Sequence, residues 1–182
     1  MNSKPVLFLD FDRTLFDAEQ FSQWLGADQK VRLERIISIV SGELPPPDFL
    51  SMLFADTCTF LKEARKTHRL VILTFSKNVR LQRLKLKESG VTSLVDDIII
   101  TGGSKEEEAD NYLKHVGEHG WRNVFIDDDI GNIVDMKNTI PSMQCLWIQR
   151  GGEFAMTDSL AKEKVDAPVR NLDEALSAIR LG

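Results

Sequence analysis

Near its amino end the chain carries Val6-Leu7-Phe8-Leu9-Asp10-Phe11-Asp12-Arg13-Thr14-Leu15, and the architecture follows from this segment. Four apolar residues run straight into two carboxylates spaced one residue apart, and a threonine follows. An unbroken apolar run of this kind predicts a strand buried on both faces, as in a parallel sheet. Acids have no use along such a strand. They belong at its carboxyl end, where open α/β sheets place their ligands. On an extended chain Asp10 and Asp12 would share a face, but a turn starting here lets both point into one crevice. Adjacent carboxylates repel unless a cation or a proton lies between them. Mg2+, a hard cation that takes oxygen ligands, is the natural neutraliser.

Outward from this stretch, apolar strands alternate with amphipathic helices. Leu70-Val71-Ile72-Leu73-Thr74 is a second strand and Ile98-Ile99-Ile100-Thr101 a third. Val124-Phe125-Ile126 is a fourth, leading into Asp127-Asp128-Asp129, and Gln144 to Ile148 a fifth. Ala167-Pro168-Val169 is a short extended piece, followed by a closing helix over Leu172–Leu181 with Asn171 as its cap. Helices are expected over Thr57–Lys66, Asn78–Ser89, from Lys105 to Gly120, and over Ile130–Lys137. This alternation predicts an α/β fold with a doubly wound parallel sheet. Residues 16–56 break the pattern. Phe16, Phe21, Trp24 and Leu25, then Val31, Leu33, Ile36, Ile37 and Val40, recur at helical spacing, and Asp48 is placed to cap a third helix from Phe49. The expected organisation is therefore a core over 1–15 and 57–182 with an all-helical cap inserted over 16–56.

Bulk properties exclude several classes. At 182 residues the chain suits one domain with a small insert. A net charge of −5 without a basic run leaves no electrostatic footprint for nucleic acid. No apolar run reaches membrane-spanning length, and Met1 to Pro5 lacks a secretory profile. Cys58 and Cys145 match no metal spacing and read as reduced thiols, so a cytoplasmic location is expected. Gly102-Gly103-Ser104-Lys105 lacks the earlier glycine of a P-loop, and no dinucleotide fingerprint follows the first strand. Glu106 to Glu108 suit the first turn of a helix. His68, His115 and His119 lie away from strand ends, and Trp24, Trp121 and Trp147 read as packing residues.

The strand ends are complementary. The first carries Asp10 and Asp12, the second Thr74, and the fourth Asp127 and Asp128, while Lys105 follows the third. Parallel strands bring all four ends to one edge. Phosphoryl transfer uses such a set: an aspartate nucleophile, a carboxylate-bound Mg2+, a hydroxyl and an ammonium for the phosphoryl oxygens, and a second acid for proton transfer. Lys77 and Lys114 are rival cations, and Ser76 is a rival hydroxyl.

Asp10-Phe11-Asp12-Arg13-Thr14-Leu15 resembles the first motif of the haloacid dehalogenase (HAD) superfamily. Leu70–Thr74, Lys105 and Val124–Asp128 resemble its second, third and fourth motifs, so the likeness runs along essentially the whole chain. The resemblance implies a Rossmann-like core with a small cap, and a Mg2+-dependent phosphatase acting on a small phosphorylated substrate. It implies Asp10 as nucleophile and metal ligand, and Asp12 as general acid/base and metal ligand through its backbone carbonyl. Thr74 and Lys105 would bind phosphate, and Asp128, with Asp127, would bind metal. The chain departs from the pattern in having three consecutive aspartates, Asn132 where many members carry an acid, and no proline after Lys105. Two alternatives stay open: a phosphomutase or other phosphotransferase on the same scaffold, and a non-catalytic phospho-aspartate switch.

Overall fold

The structure, a computed structural model, describes residues 4–117, 123–151 and 163–181. Its sheet contains β1 (Val6–Leu9), β2 (Arg69–Phe75), β3 (Asp97–Thr101), β4 (Val124–Asp127), β5 (Gln144–Ile148) and β6 (Ala167–Val169). All pairings are parallel, in the order β3-β2-β1-β4-β5-β6. This is the expected doubly wound α/β architecture. The strand order reverses direction at β1, which places the carboxyl end of β1 at a topological switch point.

Successive residues of each strand enter opposite apolar layers. Leu7, Leu9, Leu70, Ile72, Val124 and Ile126 share one core with Phe60 and Leu61 of α3 (Thr57–Ala64) and Leu86 of α4 (Val79–Glu88). Leu172 and Ala175 of α7 (Leu172–Leu181) complete that layer. Val6, Phe8, Val71, Leu73 and Phe125 share the other core with Ala109 and Leu113 of α5 (Lys105–Val116) and Ile133 and Met136 of α6 (Ile130–Thr139). The parity continues past the strand ends. Asp10 follows Phe8 and Asp127 follows Phe125 toward the α5–α6 side, whereas Thr74 follows Ile72 toward α4.

Between β1 and α3 lie α1 (Ala18–Leu25) and α2 (Gln29–Ser41). Asp17 caps the first by accepting from Gln20 N at 2.9 Å, and Asp28 caps the second by accepting from Val31 N at 2.9 Å. Gly42, at φ 84°, ends α2 in the left-handed conformation that a side chain would disfavour. The third helix expected from Phe49 does not form. Asp48 instead caps a turn through Leu50 N and Ser51 N. The next residues run alongside 15–17, with Asp17 N donating to Met52 O at 2.8 Å and Phe54 N to Leu15 O at 3.0 Å. Long-range backbone pairing wins here because it satisfies groups of both segments at once.

Aromatic rings bind this region to the core. Phe16 stacks on Phe11 at 5.0 Å between centroids, and Phe49 lies 6.0 Å from Phe16 and 5.4 Å from Phe21. Each such burial contributes about 1.5–3 kcal/mol. Trp24 stacks on Phe21, and the Arg35 guanidinium lies over its ring, so it packs as expected.

Helix α5 stops at Val116, where Gly117 adopts φ 71°; the expected end at Gly120, His119 and Trp121 lie outside the described residues. Cys58 is half-buried and Cys145 buried, both free. Burial pushes the Cys145 thiol up to about 12. Among the described residues no helix is long and apolar enough to cross a membrane.

Candidate active site

The last strand residues fix the site. Leu9 pairs with Ile72 on one side and Ile126 on the other, and Asp10 N continues the ladder by donating to Ile126 O at 3.0 Å. Asp10 therefore emerges level with Asp127. Arg13 then takes φ 64°, the one positive φ among the described non-glycine residues. That left-handed residue sharpens the turn, and Arg13 N donates to Phe16 O at 2.7 Å. Its side chain is exposed beside Glu19.

Lys105, the first residue of α5, reaches back under the sheet edge. Its Nζ donates to Asp10 Oδ1 at 2.6 Å and to Asp127 Oδ2 at 2.7 Å, all three side chains being buried. Burial opposes the ammonium, but Asp10 and Asp127 outweigh it and hold its pKa well above the ordinary lysine value. Lys114 is exposed and pairs with Asp110, and Lys77 is exposed, so neither rival stands at Asp10.

Asp127 also accepts from Asp129 N at 2.8 Å and from Asn132 Nδ2 at 3.1 and 3.2 Å. Asp128 is half-buried, and Trp147 Nε1 donates to its backbone carbonyl at 2.9 Å. Asp129, exposed, caps α6 through Gly131 N. Carboxylate oxygens of Asp10, Asp127 and Asp128 all lie within 4.8 Å of one another. Burial drives the Asp10 pKa well above the ordinary carboxylate value, against the pull of Lys105. Burial raises Asp127 too, and burial with the neighbouring Asp127 lifts Asp128 to about 6. Three carboxylates against one ammonium leave an uncompensated negative charge. An all-oxygen set of that charge fits a hard divalent cation.

Asp12 has partners of its own on α4. Its carboxylate accepts from Lys85 Nζ through Oδ1 and from Gln82 Nε2 through Oδ2 at 2.9 Å. Thr74 is buried, and its Oγ1 lies 3.0 Å from the same Gln82 nitrogen. Asp10, Lys105, Asp127 and Asp128 thus form one cluster, while Asp12 and Thr74 join through α4 beside it. Ser76 is bonded to Asn78 N at the start of α4. A cleft of about 450 Å3 opens next to Asp128, lined by Arg13, Asp17, Glu19, Phe54 and Arg150.

No protein-family model and no curated protein matches the chain. Solved structures do. A putative haloacid dehalogenase-like hydrolase from Burkholderia xenovorans superposes with a TM-score of 0.72 at 19% identity, covering 97% of this chain and 96% of that one. A predicted phosphatase from Clostridium acetobutylicum gives 0.69 at 13% identity over 100% of both chains. An L-2-haloacid dehalogenase gives 0.67 at 15% identity, covering 98% of this chain and 100% of that one. The chain shares the fold of these haloacid dehalogenase-like structures. At these identities the likeness is one of architecture.

Within this HAD-like fold, the four strand ends meet at one edge. Sequence reasoning missed Gln82 and Lys85 on α4, and Arg150 after β5. Lys85 is buried although the apolar period of α4 points to Leu81, Leu84 and Leu86. The only trace available was a glutamine and a lysine three positions apart, on a face shared with Leu86 and Ser89.

Proposed function

We propose that this chain is a Mg2+-dependent phosphatase of small phosphorylated substrates, working through an aspartyl-phosphate on Asp10. The observation that carries the proposal is Asp12: an acid two residues beyond a buried aspartate that is itself paired with a lysine. Halide leaves without a proton, so a dehalogenase has no need of that acid. An alkoxide leaving from phosphorus does need one.

In this reading an Asp10 carboxylate oxygen attacks phosphorus as the ester P–O bond breaks, and Asp12 gives its proton to the departing oxygen. Water then attacks the same phosphorus, Asp12 takes its proton, and the Asp10–phosphorus bond breaks to restore the carboxylate. Asp10, Asp127 and Asp128, with the Asp12 backbone carbonyl, would hold Mg2+, which offsets repulsion between nucleophile and phosphate when bound. Lys105 orients Asp10 and supplies positive charge to the phosphoryl oxygens, and the Thr74 hydroxyl donates to another. Helices α1 and α2, as a cap, limit water access and shape the leaving-group side. The cleft beside Asp128, with acids and two arginines on its walls, suits a compact polar leaving group.

The test is phosphate release from sugar phosphates, nucleotides, phospho-amino acids and p-nitrophenyl phosphate, with Mg2+ and with chelator. Release that needs Mg2+ and vanishes in Asp10→Asn is expected. Equal rates in Asp10→Asn, or no release from any ester, would sink the proposal. Phosphate appearing on a second organic acceptor instead of in water marks the transferase reading.

A further inference from the structure

The inner face of α4 holds a buried polar pair that the scheme above leaves without a task. Gln82 and Lys85 are three residues apart on the helix and lie one above the other. Lysine is almost never fully buried unless paired. Here the ammonium meets Asp12 Oδ1 and lies 3.2 Å from Gln82 Oε1. Three rings enclose it, with centroids at 4.7 Å for Phe16, 5.4 Å for Phe11 and 5.6 Å for Phe21. The rings exclude water on one side and attract the cation with their faces.

Gln82 does two further things. Its Nε2 donates to Asp12 Oδ2 at 2.9 Å and to Thr74 Oγ1 at 3.0 Å. The surroundings set the direction of the amide. Reversed, its oxygen would face the Asp12 carboxylate and its NH2 the Lys85 ammonium, two repulsions in place of two attractions. Thr74 Oγ1 is therefore an acceptor toward α4, and its own proton remains available to another partner.

We infer that Gln82 and Lys85 are positioning residues that hold the Asp12 carboxylate and the Thr74 hydroxyl in the orientations the phosphoryl step requires. The inference rests on the phosphatase reading. Each Asp12 oxygen has one partner on α4, so the plane of the carboxylate is set while one lone pair per oxygen stays open. Because Phe21 belongs to α1, the same ammonium also ties the inserted helices to Asp12.

The experiment measures kcat/KM with ring-substituted phenyl phosphates, from p-nitrophenyl to p-methoxyphenyl, for wild type, Lys85→Met, Lys85→Arg and Gln82→Leu. Misplacing an acid matters most where the leaving oxygen most needs its proton. Lys85→Met should lose about 10–100-fold on the poorest leaving group and less than about 3-fold on p-nitrophenyl phosphate. Lys85→Arg should recover part of the loss. Gln82→Leu should shift the series the same way while retaining the ion pair, which keeps the test alive if Lys85→Met fails to fold. A loss uniform across the series, or no loss, overturns the inference while leaving the phosphatase reading intact. A wild type inactive on every ester, with or without Mg2+, overturns both.

Discussion

Lys105 Nζ stands 2.6 Å from Asp10 Oδ1, across 95 residues of chain. The contact joins the carboxyl end of β1 to the first turn of α5, and Asp127 receives the same ammonium. A cation at a helix N-terminus opposes the helix dipole. Two buried acids outweigh that cost. Lys105→Met should therefore destabilise the metal-free chain by about 3–5 kcal/mol, because it leaves two unpaired buried carboxylates. Urea denaturation in chelator measures it. Added Mg2+ should restore part of the loss if the acids are a cation site, and none if they are structural.

Asp128 supplies a pH prediction. Its folded pKa is about 6 against an ordinary 3.8. Between about pH 4 and 6 the folded chain keeps a proton that the unfolded chain has lost, so this group removes stability as pH rises through that window. Asp128→Asn deletes the effect. In chelator the variant should gain about 1–2 kcal/mol over wild type at pH 7, allowing for solvent screening, and nothing near pH 4. Mg2+ at pH 7 should raise the wild-type melting temperature and move the variant far less. A pH-independent difference between the two proteins would refute the assignment.

The strands were legible, though not their order in the sheet, because a parallel sheet buried on both faces leaves unmistakable apolar runs, and polar residues at their ends stand out. Asp10, Lys105, Asp127 and Asp128 were legible for that reason. Residues 49–54 were not: Phe49, Met52 and Leu53 have helical spacing, yet their backbone pairs with 15–17 through contacts that local periodicity cannot register. Lys85 and Gln82 were hidden more deeply. Apolar patterning marks buried faces by their carbon, and this buried face is polar because its partner Asp12 lies 73 and 70 residues earlier.

Arg150 joins three segments. It donates to Thr14 O at 2.6 and 3.1 Å and to both Asp56 oxygens at 2.8 and 2.9 Å, with its guanidinium 4.1 Å from the Phe54 centroid. Asp56 in turn accepts from Leu172 N at 2.8 Å, at the start of α7. A lysine has one ammonium where this site uses a planar fork. Arg150→Lys should cost about 2 kcal/mol, or roughly 4–8 °C in melting temperature for a chain of this size. Because Thr14 closes the turn after Asp12, activity should fall too. A melting curve that overlays wild type would show that the fork is dispensable.

Asp12→Asn separates the two halves of the proposed reaction. With p-nitrophenyl phosphate the first half needs little help, since the leaving oxygen is stable as an anion. The second half needs water to lose a proton, and asparagine cannot take it. The variant should release one burst of nitrophenol close to the enzyme concentration, then turn over about 100–10,000-fold more slowly than wild type. Phosphate should remain on the protein through the slow phase, detectable by mass as a single adduct on Asp10. The substitution also leaves the Lys85 ammonium without its carboxylate, so the variant's fold must be checked by circular dichroism at the assay temperature. A folded variant with wild-type turnover would place the proton transfer elsewhere.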